Sequence, residues 1–382
     1  MNSQQKADKY EVIFILFSDL GIGGVQKKIS DVVTQIKSRA KNSKKRLVIL
    51  LNKKKSYDLE NDIFLEIVLN EGAEVFYKPN LQFRRFELPY TLFVLWKAFV
   101  YKPDVILSFM ESYAIASVFI KLLLFWRKVK VVISYDNVAS IYIRSCYKKR
   151  HEMNKWTWAI RIFFRYADII VLPSREAKKD MINNFRISKE IIIVNKNWIT
   201  QFPRVSARNI VYDIIYTGRV DPAKNLKLFV DVVDEVSKKM RNISAGIIGW
   251  GDEITEVSKY IHKKSLQSRI EILGSQEDVH KFLISSKVFL LTSDFEGLPI
   301  SVLEAMGCGL PAVVKAYPGA DELVVDGRTG FIATTKKDLA ERLFELLSNE
   351  KNREKFGKAA RRYVKKYHGE KNLQSFIDLI DP

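Results

Sequence analysis

The strongest constraint on this chain is a rhythm. Short apolar, β-branched runs recur along it, with helix-length segments between several of them. The runs read as strands at Tyr10–Phe17, Arg46–Leu51, Val105–Phe109, Val129–Ser134, Asp168–Leu172 and Ile191–Val194. Polar residues and Pro203 interrupt the pattern over Asn195–Arg208. It restarts with a strand ending at Thr217, then Ile243–Ile248, Ile270–Leu273, Val288–Leu291 and Ala312–Lys315. Apolar strands alternating with helices build parallel sheets covered by helices. The reading is therefore α/β, in two domains joined near residue 200, which suits a chain of 382 residues. A Lys/Arg-rich segment, Lys351–His368, reads as a helix near the end.

Composition removes several alternatives. With 47% hydrophobic residues, the chain has enough apolar material for real cores, which excludes global disorder. Cys146 and Cys308 are far apart, and the four histidines join them in no cluster, so a disulfide framework or zinc site does not fit. No metal site is expected. The N-terminus lacks the charged, apolar and small-residue regions of a signal peptide. The most apolar run, Tyr113–Trp126, is short of the roughly 18–20 residues a membrane span needs and contains Lys121. It reads as a buried helix, and the chain as cytoplasmic.

Two segments carry chemistry. The first, Asp294–Pro311, contains Glu296 and Glu304. It follows an apolar strand and reads as a turn, with Pro299 at the first position of a helix over Ile300–Met306 that ends at Gly307. Free N–H groups and the positive dipole end at that terminus suit a phosphate. Glu296 in the loop suits sugar hydroxyls, and Glu304, one turn into the helix, suits a vicinal pair such as those of a ribose. An ordinary βα loop with a solvated carboxylate has the same outline. The second segment, Tyr216–Asn225, brings Arg219 and Lys224 to the end of a strand. Arginine forks onto two oxygens and lysine supplies a point charge, which together suit a diphosphate at a parallel sheet's carboxyl edge. Taken singly, both also read as solvated surface charges. Gly249 and Gly251 form a third close-approach loop at this edge.

The Glu296-x7-Glu304 pair within EGLPISVLEAMGCGLPAV, with GRVDPAKN upstream, resembles the GT4 family of retaining GT-B glycosyltransferases. The likeness is dense from Asp213 to Phe331. It continues more thinly in Gly23-Gly24-Val-Gln and Val171-Leu-Pro-Ser-Arg-Glu. The resemblance implies a GT-B fold: two Rossmann-like domains, 1–200 and 201–382, whose parallel sheets face an interdomain cleft. The final helix, about 366–382, would pack back on the first domain. It implies transfer of a sugar from a UDP- or GDP-linked donor, with retention and without a metal or other cofactor. Glu296 would bind donor-sugar hydroxyls beside the N–H groups of Gly297 and Leu298, and Glu304 the ribose. Arg219 and Lys224 would neutralise the diphosphate. The Gly23-Gly24 loop would approach donor phosphates and acceptor, while loops at Trp250 and Gly274–Gln276 would surround the base. Many members carry a histidine after the fourth or fifth strand. This chain has Ser134-Tyr-Asp-Asn137, so Tyr135 and Asp136 become candidates, Asp136 as a catalytic group or a structural turn residue. The turn at Gly21-x-Gly23 puts Gln26 where a dinucleotide fingerprint needs its third glycine, so a nicotinamide enzyme does not fit.

Charge is uneven. Residues 1–200 hold 35 Lys and Arg against 19 Asp and Glu, a net of +16 out of +19 overall. Lys37–Lys55 is purely basic among its charged residues, whereas Lys78–Lys102 and Arg144–Arg165 interleave cations with large aromatics. Interleaving of that kind belongs to membrane-interface segments, and each cation near an anionic leaflet adds about 1 kcal/mol. Arg84, Arg85, Lys148 and Lys149 are the expected membrane and acceptor face. The expected partners are a nucleotide sugar, a saccharide or polyprenyl-diphosphate-linked acceptor for capsule or lipopolysaccharide assembly, and the inner face of the cytoplasmic membrane. Two other readings stay open: a catalytically silent glycosyltransferase-like assembly protein, and a nucleic-acid binder, for which no motif is present.

Overall fold

A computed structural model of the protein describes residues 11–19, 23–39, 45–52, 63–79, 88–147, 149–203 and 209–381. Tyr10, Gly21, Arg84, Arg85 and Lys148 lie outside the described residues. The chain divides into two compact units. One is residues 1–195 with 373–382, and the other is residues 196–372.

The first unit alternates β1 (Glu11–Phe17), α1 (Gly24–Arg39), β2 (Lys45–Leu51), α2 (Ile63–Asn70), β3 (Glu74–Tyr77) and α3 (Leu88–Tyr101). It continues with β4 (Val105–Phe109), α4 (Glu111–Leu123), β5 (Lys130–Ser134), α5 (Ala139–Cys146), α6 (Arg150–Phe163), β6 (Ile169–Leu172), α7 (Arg175–Phe185) and β7 (Ile192–Val194). The seven strands are all parallel, in the order β3-β2-β1-β4-β5-β6-β7. Right-handed crossovers send α1 and α2 to one face and α3, α4, α6 and α7 to the other, where α4 packs between α3 and α6. Both faces are therefore covered. Ile13, Phe14, Ile15 and Leu16 are accordingly all fully buried, as a continuous apolar run requires.

The second unit runs β8 (Tyr212–Thr217), α8 (Leu226–Ser237), β9 (Ala245–Ile248), α9 (Ile254–Lys263), β10 (Ile270–Gly274), α10 (Val279–Ile284) and β11 (Ser286–Leu291). It then adds α11 (Ile300–Gly307), β12 (Ala312–Lys315), β13 (Gly330–Ala333), α12 (Lys336–Ser348) and α13 (Glu350–Tyr367). Its six parallel strands follow the order β10-β9-β8-β11-β12-β13. In each sheet the order reverses next to the first strand, at β1/β4 and at β8/β11. Such switch points open a crevice at the carboxyl ends of the strands.

The last helix, α14 (Glu370–Ile380), crosses the unit boundary. Leu373, Phe376, Ile377 and Ile380 form one buried stripe at helical spacing. Arg39 bonds Asp378 at 2.7 Å, and Lys45 pairs with Asp381.

Two strands escape the sequence reading. β3 is only half-buried, and β13 is a four-residue stretch straight after the turn Asp326–Thr329. Pro299 stands just before α11 rather than in its first turn, since its ψ of 121° is extended. The apolar run at Tyr113–Trp126 forms α4 and a following 3-10 turn, but it is not a buried helix throughout. Phe119, Leu122, Leu123, Phe125 and Trp126 are exposed.

Candidate functional site

In the second unit, three loops after parallel strands converge at the β8/β11 switch point. The 3-10 turn Pro222–Lys224 follows β8 and is capped by Asp221, whose Oδ1 accepts from Ala223 N–H at 3.1 Å. The loop after β11 is joined to that turn three times. Asp294 N–H donates to the Ala223 carbonyl at 2.8 Å, the Thr292 hydroxyl to the Lys224 carbonyl at 3.0 Å, and Asn225 Nδ2 to Asp294 Oδ1 at 3.0 Å. Asn225 has φ 49°, a left-handed conformation that asparagine tolerates, and it also caps α8.

These joints fix the central pair. Lys224 Nζ lies 2.7 Å from Glu296 Oε1, with both side chains largely buried. The Ser293 hydroxyl donates to the same oxygen at 2.7 Å. Asp294 points elsewhere, to Asn225 and Lys315. The acidic pair Asp294-x-Glu296 is thus split between two environments. Tyr317, in the loop after β12, is buried beside Glu296. Burial, with the Glu296 charge adding to it, raises its phenol pKa well above 10. Its hydroxyl has no hydrogen-bond partner among the described residues.

Arg219 is the exposed member of the set, 58% accessible, with Nη2 3.2 Å from Asp221 Oδ2. Its backbone is held by the Tyr216 hydroxyl, which donates to the Arg219 carbonyl at 2.7 Å. Gly249 makes this loop possible. Its φ is 139°, and a Cβ there would overlap the Gly218 carbonyl oxygen. The close approach at Gly249 and Gly251 is therefore between two loops of the protein itself. Glu304 sits on the buried side of α11, whose first N–H groups have no side-chain cap. Gly297 and Leu298 lie between Glu296 and that helix. The Leu298 carbonyl accepts from Asn197 at 2.8 Å, and Asn197 is in turn clamped by His368 Nδ1 at 2.9 Å from its carbonyl.

Gly23, Gly24 and Asp136 belong to the first unit. Gly24 opens α1, which brings Lys28 beside the end of β5. The buried Lys28 Nζ lies 2.9 Å from Asp136 Oδ1, donates to the Ser134 hydroxyl at 3.0 Å, and sits 4.9 Å from the Phe376 ring centroid. Asp136 Oδ2 is buried without a hydrogen-bond partner among the described residues. Tyr135 is a core residue packed edge-on to Phe164, not an open-site group. At the β1/β4 switch point stands Glu111, which sequence reading passed over. It follows Met110, strained at φ 64°, and burial pushes its carboxyl pKa up. Lys149 is exposed at the start of α6. Ser293, Tyr317 and Glu111 were missed because neither a serine, a tyrosine nor an acid after an apolar run is distinctive. The one local signal was their place just past a strand end.

Comparison with known proteins bears on the family and the fold. Residues 48–200 match the family model described as Glycosyltransferase Family 4, and residues 200–363 the one described as Glycosyl transferases group 1. Uncharacterized glycosyltransferase MJ1178 of Methanocaldococcus jannaschii is 26% identical over 225 residues, 55% of this chain and 60% of that protein. The match thus spans less than two thirds of that relative. O-antigen biosynthesis glycosyltransferase WbnH of Escherichia coli is 25% identical over 345 residues, 90% of this chain and 92% of that protein. Among solved structures, HepE of Anabaena in complex with UDP and glucose superposes with a TM-score of 0.78 at 16% identity, covering 97% of this chain and 98% of that one. At that identity the likeness is one of fold, the GT-B arrangement of two parallel sheets.

Proposed function

From membership of glycosyltransferase family 4, to which this chain belongs, we propose that it transfers a sugar from a nucleotide diphosphate donor to a saccharide acceptor with retention of anomeric configuration. The observation that carries the reading is the Lys224–Glu296 pair, fixed by three joints at a switch point beside the uncapped amino end of α11.

In this reading Lys224 and Arg219 take the diphosphate, and the N–H groups at the start of α11 take one of its phosphates. Glu296 accepts both its bonds from the protein on Oε1, so Oε2 is the atom assigned to the sugar hydroxyls, with the N–H groups of Gly297 and Leu298 beside it. Glu304 holds the ribose. The chemistry falls largely to the substrates: the leaving phosphate takes the acceptor's proton as the new bond forms on the same face. The protein contributes orientation and stabilises developing negative charge. Gly23, Gly24 and Asp136 are proposed for the acceptor side of the chemistry. The name of WbnH and the ligands of HepE support a sugar on UDP and a surface polysaccharide as product. The basic first unit supports a lipid-linked acceptor and peripheral attachment to an anionic leaflet, with Arg84, Arg85, Lys148 and Lys149 contributing.

Nucleotide release from UDP- and GDP-sugars, with NMR assignment of the product anomer, tests the proposal. Glu296→Ala and Lys224→Ala should each cut transfer by about a hundredfold or more without unfolding the protein. Full activity in either variant, or an inverted product, sinks it.

A further inference from the structure

Among the described residues, fifteen large apolar side chains are exposed, and eleven of them lie on one helical layer of the first unit. That layer is α3, α4 and α6 with the 3-10 turns that follow α4 and α6. The concentration is densest where α3 and α4 end. Trp96, Phe99 and Val100 share a face of α3 at i, i+3 and i+4, and Leu122 and Leu123 stand on the last turn of α4. Phe125 and Trp126, in the turn Phe125–Arg127, are 77% and 61% exposed and pack edge to face. Arg127 joins the two ends by donating to the Lys102 carbonyl at 3.2 Å. Exposed patches of this extent mark interaction surfaces rather than chance.

The charge around the patch selects the partner. Residues 88–167 carry 13 Lys and Arg against four Asp and Glu. Three of those acids are engaged within the unit. Glu111 is buried and Asp136 pairs with Lys28, while Asp104 accepts from Val12 N–H at 3.0 Å. Glu152, the fourth, lies in the first turn of α6, at the far end of that helix. Just beyond the stretch, Asp168 is taken by Lys121 at 2.7 Å. Lys102, Lys128 and Arg165 remain exposed around the aromatics. Tryptophan and phenylalanine ringed by cations, with the carboxylates withdrawn, complement the headgroup region of an anionic bilayer.

We infer that this face, led by Trp96, Phe99, Phe125 and Trp126, docks flat on an anionic lipid surface and inserts its aromatics at headgroup depth. The inference deepens the reading of a membrane-linked acceptor. It moves the anchor from the basic segments to an apolar edge where strands β4 and β5 begin, opposite the carboxyl edge that holds Gly23 and Asp136.

The test is co-sedimentation with vesicles of phosphatidylcholine containing or lacking phosphatidylglycerol, with no sugar present. Failure here is thereby separable from failure of the transfer reaction. Wild-type protein should partition to the anionic vesicles. Phe125→Ser/Trp126→Ser and, separately, Trp96→Ser/Phe99→Ser should each lower partition about tenfold or more while circular dichroism is unchanged. Unchanged partition in both pairs overturns the inference. So does a concentration-dependent dimer in light scattering that the same substitutions dissociate, since a second copy would then be the occupant.

Discussion

At the scale of single residues, Tyr317 offers a test of the proposed donor site. A buried hydroxyl without a partner is normally costly by about 1–3 kcal/mol, so a fold keeps one where something else bonds it. It stands beside Glu296, whose Oε1 already takes Lys224 and Ser293. Tyr317→Phe removes the oxygen and nothing else. Its melting temperature should stay level or rise slightly, while the KM for the donor rises roughly tenfold, as loss of one hydrogen bond to a ligand gives. Steady-state kinetics beside thermal melts check this, and an unchanged donor KM would show that the hydroxyl meets no substrate. Glu296, Glu304, Arg219 and Lys224 were legible in sequence because each belongs to a spaced local pattern. Tyr317 was not, because it comes beside Glu296 only through the pairing of β12 with β11, and Ser293 was not, because a lone serine three residues before an acid is not distinctive.

At the scale of elements, the segment entering the second unit is held by the end of α13. His368 is buried, and its Nδ1 lies 2.9 Å from the Asn197 carbonyl. A carbonyl only accepts, so Nδ1 carries the proton. Burial pushes the imidazole pKa down to about 4 from 6.5. The unfolded chain therefore binds a proton first, between pH 6.5 and about 4. The stability contributed by neutral His368 is complete above pH 6.5 and is lost as pH falls through that window, by up to about 3 kcal/mol. Thermal melts from pH 7 to 4.5 should show this loss. His368→Asn, which keeps an N–H donor but cannot titrate, should lose distinctly less. Parallel curves for the two proteins would refute the assignment. Asn197 also donates to the Leu298 carbonyl, so the same clamp steadies the loop beside Glu296.

At the scale of the molecule, the first unit is finished by the last residues of the chain. The α14 stripe lies against it, with Phe376 over the buried Lys28 that pairs with Asp136. Phe376→Ala should lower stability to denaturant by about 3–5 kcal/mol. Under the proposed function, binding of UDP, read by calorimetry, should stay within twofold, because the residues around Glu296 belong to the other unit. Strong loss of UDP binding without loss of stability would contradict that separation. Sequence by itself determined the two parallel α/β sheets, the family, and the carboxylates and cations at one sheet's carboxyl edge. Strand rhythm and motif spacing are local properties, and sheet order converts them into position. Only tertiary structure decided that Tyr135 is core, that Lys28 occupies Asp136, that His368 clamps Asn197, and that Phe125 and Trp126 face outward. A residue's apolarity says that it favours burial, whereas whether anything covers it depends on which helices the sheet order makes neighbours.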